Sequence, residues 1–485
     1  MQKNILFLMT DQHRADYVSY EEAENVRTPN IDRLAEGMVF SCCQSVDPVC
    51  MPARSALLTG RYPHQIGALA MSGDLSLQHP TCMQALQKAG YYTCGIGKFH
   101  FLQTWDWQTP RGRGIPIVDI KEDMKKWGFD YIWESSGKQQ VLRNYCDYSA
   151  YLDHKGILES YRDFLKQAGP NTNYADDPEE GYPVVWPWAE EDYVDVITAD
   201  QIIEQIKNRP KDKPFCIFGS FCCPHKPFDA PQRYLDMVEA EEKEDFIPGD
   251  RELKEDDKQK LYQKRRSYKA MIRLVDDQIG RIYKVLQDEE LWDETVILFT
   301  SDHGEMMGDH GRLQKNIYYR QACTVPTAIR HPEYLINGRC TSPVEITDLT
   351  ATMLEIAGLD PLNGLSKAWP AFHDRIPCRS LMPIVRGETD EIRKFSYSEY
   401  AGEWQMVQNE KIKYVRFLQY REDEAPREIL YDLQKDPSEL VNVVQDPEYK
   451  EILDQCKKYR EYIIDNTPAA QLCWAPLIGP EEGVL

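Results

Sequence analysis

Two aspartates stand where chemistry is easiest to imagine. Asp11 closes the apolar run at 5–9 and Asp302 closes the run at 295–299. If both runs are strands of one sheet, the two carboxylates meet at one edge. There they repel unless a proton or a cation lies between them. A hard divalent ion held by oxygen ligands resolves that conflict. Gln12 offers it a carbonyl oxygen and His303 a nitrogen. Two further apolar runs end in reactive side chains: the run at 91–96 leads into Gly97, Lys98, Phe99 and His100, and the run at 215–221 leads into Pro224 and His225. Four such endings are more than turn chemistry requires.

The charge balance sharpens the question. With 57 basic and 79 acidic residues the net charge is -22. Nucleic acid and anionic membrane are both repelled by such a chain at long range. Any anion site must therefore be locally basic. The 14 cysteines include no Cys-x-x-Cys pair, so they read as reduced thiols rather than as a disulfide framework or a structural zinc site.

The elements that must position these residues follow from pattern. Short, continuously apolar runs are strands buried on both faces. Helical stretches lie between them: one opened by Thr28 and Pro29 and closed by Gly37, one over 81–90, and one over 268–286. Strands alternating with helices predict an α/β fold with a large, mostly parallel sheet sandwiched by helices, whose ligands bind beyond the carboxyl ends of the strands. At 485 residues, more than one domain is expected: a catalytic domain over 1–375 and a smaller α+β domain over 376–485 with a short antiparallel sheet. An aromatic-rich insertion at 101–195 holds Trp105, Trp107, Trp127, Trp133, Trp186 and Trp188. The charge-dense stretch 241–260 reads as a solvated helix face or loop. In the last part, a hairpin turns at Gln408, Asn409 and Glu410, and a helix comes after it over 446–464.

The segment Cys50-Met51-Pro52-Ala53-Arg54-Ser55-Ala56-Leu57-Leu58-Thr59-Gly60-Arg61 resembles the signature of the sulfatase family. In that family the cysteine is oxidised to formylglycine, an aldehyde that hydrates to a geminal diol. The resemblance extends along the chain. Lys98 and His100 match a Lys-x-His element, with Lys98 implied to contact sulfate and His100 to orient or deprotonate the diol. Pro224-His225-Lys226-Pro227-Phe228 matches a Pro-His-x-Pro-Phe element, with His225 implied to lie on the sulfate or the leaving-group side, as a candidate general acid. Lys315 matches a second sulfate-binding lysine, so that Arg54, Lys98 and Lys315 are implied to form the locally basic patch, and Leu430-Tyr431-Asp432-Leu433 matches a C-terminal segment. The implied chemistry is coherent: a sulfate ester needs a strong oxygen nucleophile and neutralisation of its anionic oxygens. The second hydroxyl of a diol then expels sulfate without hydrolysis of a stable adduct.

The resemblance implies a metal set of Asp11, Gln12, Cys50, Asp302 and His303, a divalent ion (Ca²⁺ first, with Mn²⁺, Mg²⁺ and Zn²⁺ open) and a formylglycine-generating maturase as partner. Asp-Gln paired with Asp-His is similar to phosphonate monoester hydrolases and some related sulfatases, where many sulfatases carry Asp-Asp and Asp-Asn. Hydrolysis of phosphonate monoesters or phosphodiesters is therefore the alternative to hydrolysis of a sulfated carbohydrate, and a non-catalytic anion- or sugar-binding protein is the third reading. Aromatic faces of the insertion, with Arg111, Arg113 and Arg143, would receive the sugar and a second anionic group. The N-terminal apolar run is too short to span a bilayer and no small-residue cleavage site comes after it, so a cytoplasmic location is expected.

Overall fold

A segment apolar at every position buries both faces, and the strands here show it: Ile5 to Asp11 and all of the segment from Phe215 to Pro224 are buried. The computed structural model describes residues 2–21, 26–69, 71, 74–102, 116–142, 144–168, 182–239, 245–249, 252–365, 376–419 and 427–470. Its strands are β1 (Asn4–Asp11), β2 (Met38–Phe40), β3 (Cys43–Gln44), β4 (Tyr92–Gly97), β5 (Tyr131–Glu134), β6 (Phe215–Pro224), β7 (Thr295–Ser301), β8 (Ala328–Arg330), β9 (Gly338–Cys340), β10 (Val344–Glu345), β11 (Ser396–Tyr400), β12 (Trp404–Gln408), β13 (Ile412–Phe417) and β14 (Glu428–Asp432). Five helices carry or brace the parts that matter for function: α1 (Cys50–Thr59), α2 (Cys82–Lys88), α3 (Val194–Asn208), α4 (Glu255–Asp288) and α5 (Lys450–Asn466).

The main sheet has eight strands in the order β5-β4-β6-β1-β7-β8-β2-β9. From β5 to β7 the pairings are parallel; β8 runs against both of its neighbours. The expected mostly parallel sheet is present. Its register brings the four reactive endings to one edge: Thr10 pairs with Ser301, Asp11 with Pro224 and Gly97 with Ser220. Helices α3 and α4 cover β6 and touch each other. The expected antiparallel sheet is also present, in the order β11-β12-β13-β14. Asn409 Oδ1 closes the β12–β13 hairpin by accepting from the N–H groups of Lys411 (3.0 Å) and Ile412 (2.9 Å). A cluster of Met306, Tyr318, Tyr319, Trp404, Met406 and Val415 joins this sheet to the loop after β7.

Several local expectations change. The 81–90 helix is α2, with Thr81 as its cap: Thr81 Oγ1 accepts from Gln84 N at 3.1 Å. Thr28 caps no α-helix; its hydroxyl donates to Asp32 at 3.0 Å and a 3₁₀ helix, Ile31–Glu36, comes next. Gly37 is there for close approach, since a Cβ would lie 2.2 Å from Ile329 O. The 268–286 helix begins earlier, at Glu255, so the last part of the charged 241–260 stretch is an exposed helical turn. The expected 446–464 helix splits: Asp446 caps a 3₁₀ turn, Pro447–Tyr449, before α5. The described tryptophans of the insertion pack into the protein rather than forming an open wall. Trp127, Trp133 and Trp186 are buried, and Trp188 packs on Trp186 with centroids 4.9 Å apart. Trp105, Trp107, Arg111, Arg113 and Arg143 lie outside the described residues. The described cysteines are all free and buried. No described helix is long and apolar enough to cross a membrane.

Candidate active site

The segment carrying Cys50 divides into a chemical part and a structural part. Cys50 is the first residue of α1, with Pro52 in the first turn, where its missing N–H costs nothing. The chain entering the helix is held by Asp47 Oδ1, which accepts from Val49 N at 2.8 Å. At the other end Gly60 adopts φ +66° and stops the helix. A side chain there would meet Cys378 Sγ at 2.6 Å. Arg61 ties the exit down by donating to Thr59 O (3.0 Å) and Leu365 O (2.8 Å). Thr59, Gly60 and Arg61 are thus a terminator, and Cys50 and Arg54 face the site.

Arg54 lies beneath the site, fully buried. Its Nε meets Asp302 Oδ2 at 2.7 Å and its Nη2 meets Asp11 Oδ2 at 3.2 Å. Nη1 donates to Lys98 O (2.6 Å) and Ser220 Oγ (2.8 Å). One guanidinium therefore holds the ends of β1, β4, β6 and β7 together. Arg54 was expected in the cationic patch; its charge is directed at the two aspartates.

Above it, Asp11, Cys50, Asp302 and His303 each place one donor atom within 4.8 Å of the others. All four residues are buried. Asp11 Oδ1 and His303 Nε2 have no hydrogen-bond partner. His303 Nδ1 lies 2.9 Å from Gly304 O, so it carries the ring proton and leaves Nε2 with a free lone pair. Buried polar atoms without partners are rare. An orphaned carboxylate oxygen and an orphaned imidazole nitrogen beside a thiol and a second carboxylate fit a divalent cation. Lys98 pairs with Asp11, and Lys315 Nζ donates to Gln12 Oε1 at 2.5 Å and approaches Cys50 Sγ at 3.8 Å.

The electrostatics agree. Burial pushes the Asp11 carboxyl up, but Lys98, Arg54 and Lys315 outweigh it and hold the group well below the usual carboxylate range. Burial likewise pushes the Cys50 thiol up, and Lys315, Lys98 and a hydrogen bond from His100 reverse the sign. Residue 50 sits in a field that favours an anion. Burial keeps His225 neutral, helped by Lys315. Its Nδ1 is 2.7 Å from Lys226 O, which leaves Nε2 as the ring nitrogen available to a ligand.

Cys50, Lys98, His100, His225 and Lys315 all line one cavity of about 370 Å³. Ser136, Gln139, Gln140, Gln314, Asn316 and Tyr400 extend its wall. The site also uses residues that pattern did not single out. Glu305 sits between Gln12 and the Lys315 loop; its place two residues after His303 was the available signal. Lys138 bonds Asp229 (2.8 Å) and Pro227 O (2.7 Å), holding the segment after His225. Tyr400 comes from β11, and no local signal announces it.

A family model for sulfatases matches residues 3–359, and one for the C-terminal part of N-sulphoglucosamine sulphohydrolase matches 308–464. The chain belongs to the sulfatase family and is a sulfuric ester hydrolase. It is 27% identical to an arylsulfatase of Clostridium perfringens over 485 residues, covering 94% of this chain and 93% of that one. It is 25% identical to an N-acetylglucosamine-6-O-sulfatase of Bacteroides thetaiotaomicron over 555 residues, covering 96% and 87%. The fold superposes on the crystal structure of a phosphonate monoester hydrolase of Agrobacterium radiobacter with TM-score 0.75, 22% identity and 96% coverage of both chains.

Proposed function

We propose that the chain hydrolyses a sulfate monoester carried by a mono- or oligosaccharide, with residue 50 acting as formylglycine and a divalent cation bound by Asp11, Gln12, Asp302, His303 and residue 50. One observation carries this reading. A nucleophile position, two lysines and two histidines share a cavity directly over a buried donor set with two unpartnered atoms.

A divalent cation held by Asp11, Gln12, Asp302, His303 and residue 50 would supply Lewis-acid chemistry toward the sulfate and residue 50. Formylglycine at residue 50, once hydrated, would supply one hydroxyl to attack sulfur as the alcohol departs and a second whose deprotonation would expel sulfate and restore the aldehyde. The remaining roles belong to the chain. Lys98 and Lys315 neutralise the sulfate oxygens in a site whose burial strengthens each contact. His100, hydrogen-bonded to residue 50, orients it and takes its proton. His225 acts on the bridging oxygen as the alcohol leaves. Arg54 keeps the two aspartates charged and in place. The amide and phenol groups of Gln139, Gln314, Asn316 and Tyr400 suit a polyhydroxylated leaving group. The N-acetylglucosamine-6-O-sulfatase relative supports the same choice.

Ca²⁺ suits the oxygen donors, whereas the free Nε2 of His303 adds a nitrogen that Mn²⁺ or Zn²⁺ accepts more readily. Residue 50 is 2% exposed, which supports oxidation by a maturase acting before the chain folds.

The test is turnover of matured protein on defined sulfated mono- and disaccharides beside nitrophenyl sulfate, a phosphodiester and a phosphonate monoester. A sulfated sugar should be the best substrate. A phosphonate hydrolysed far faster than every sulfate would instead establish the second reading, which the Gln12 and His303 positions favour. Cys50→Ala should lower kcat at least about 10⁴-fold while the protein stays folded by circular dichroism. Retained turnover would remove residue 50 from the mechanism.

A further inference from the structure

The side-chain amide of Gln12 has two chemically different ends, and the structure assigns each a fixed partner. Gln12 adopts φ +66°. Its backbone is pinned on both sides: N–H donates to Asp302 Oδ1 at 2.9 Å and the carbonyl accepts from the Tyr268 hydroxyl at 2.6 Å. From that anchored position Nε2 donates to Glu305 Oε2, while Oε1 accepts from Lys315 Nζ at 2.5 Å. A carboxylate only accepts and an ammonium only donates. The amide therefore has a single polarity. Lys315 Nζ also lies 3.8 Å from Cys50 Sγ, so the oxygen end is the one beside residue 50.

We propose that Glu305 is a positioning residue that fixes the Gln12 amide so that its oxygen, and not its NH₂, is presented to the cation. The proposal rests on the metal-dependent reading of the site. Its logic is a matter of donors and acceptors: a flipped amide would offer two N–H groups to a divalent ion, which needs a lone pair. Glu305 is itself immobile. It is 2% exposed, and its Oε1 accepts from Met307 N at 3.2 Å and from Gln314 N. The same carboxylate thus sets the polarity of Gln12 and clamps the loop that leads to Lys315.

Glu305→Gln separates the two tasks. A glutamine keeps an acceptor oxygen for Met307 N and Gln314 N but turns an NH₂ toward Gln12, so the Gln12 amide must flip or lose its partner. The experiment titrates metal-stripped, matured protein with Mn²⁺ and, separately, Ca²⁺ by calorimetry, and records the metal-free Tm of each variant. Glu305→Gln should weaken binding about 10–100-fold, as loss of an outer partner of a metal ligand does, with the metal-free Tm unchanged. The exchanged pair, Gln12→Glu with Glu305→Gln, should recover most of that affinity, because the NH₂ of residue 305 then orients a carboxylate at residue 12. Wild-type affinity in Glu305→Gln would overturn the inference while leaving the metal reading intact. A loss that the exchanged pair does not recover, accompanied by a lower metal-free Tm, would overturn it by assigning Glu305 to the fold. Wild-type protein that binds neither ion would overturn the metal reading and this inference together.

Discussion

At the scale of single residues the site is an exercise in keeping like charges together. Asp11 and Asp302 are both fully buried, and Arg54 spans them. Replacing one partner of a buried ion pair leaves an uncompensated charge, which costs far more than the pair contributes. Arg54→Met is therefore expected to destabilise the protein by about 3–5 kcal/mol, read from the midpoint of urea unfolding. Added Mn²⁺ should recover part of that loss, because a cation beside the same carboxylates takes over the compensation. Recovery that Mn²⁺ and Mg²⁺ fail to produce would show that Arg54 acts on the fold apart from the aspartates. The residues at strand ends were legible in sequence because a continuous apolar run announces its own end. Glu305 was not, because its meaning depends on Gln12, which is distant in the chain.

At the scale of elements, the loop after β7 decides whether Lys315 reaches the site. That loop is held on one side by Glu305 and on the other by the antiparallel sheet. Tyr318 and Tyr319 pack with Trp404 and Met406, and Lys413 donates to Tyr318 O at 2.9 Å. Trp404 is 2% exposed. Trp404→Ala is expected to cost about 3–5 kcal/mol through the cavity it leaves, measured by denaturant unfolding. The same change should raise KM for the sulfate ester more than it lowers kcat, because Lys315 loses support while residue 50 and its neighbours on α1 and β4 do not. Equal loss in both constants would tie the cluster to the chemical step. Sequence predicted the hairpin between β12 and β13 from turn residues, yet offered no hint that Trp404 braces an active-site loop. Burial and alternation identify a strand's inner face; which distant loop that face meets is set by the tertiary fold. The described tryptophans of the insertion show the converse case. Aromatic density suggested a sugar platform, but the described rings pack on one another, with Trp186 at 5.1 Å from Tyr193.

At the scale of the molecule, burial leaves a signature in the pH dependence of stability. Glu134, at the end of β5, accepts from Ser136 N at 2.6 Å and Phe99 N at 3.2 Å. Burial nevertheless pushes its carboxyl up to about 8 from an ordinary value of 4.5. The folded state thus holds this proton more tightly than the unfolded chain does. Its contribution to stability is complete below the unfolded pKa and disappears as pH rises through the folded one, a window from about 4.5 to about 8. Glu134→Gln keeps an acceptor and removes the titration. Between pH 5 and pH 8.5 the variant should lose less stability than the wild type in paired urea unfolding curves. Parallel slopes would show that the carboxyl is already ionised at the lower pH. The fold itself was the most legible feature of the sequence, since four buried runs with helices between them admit few other arrangements.

One wall of the cavity has a different origin from the rest. Tyr400 belongs to β11, whereas Cys50, Lys98 and His225 belong to the eight-stranded sheet and the helix beside it. The residues that share this cavity are consequently drawn from both sheets and from the loop after β7. On the proposed function, a substitution at Tyr400 is expected to change the preference among alcohols more than the cleavage step itself.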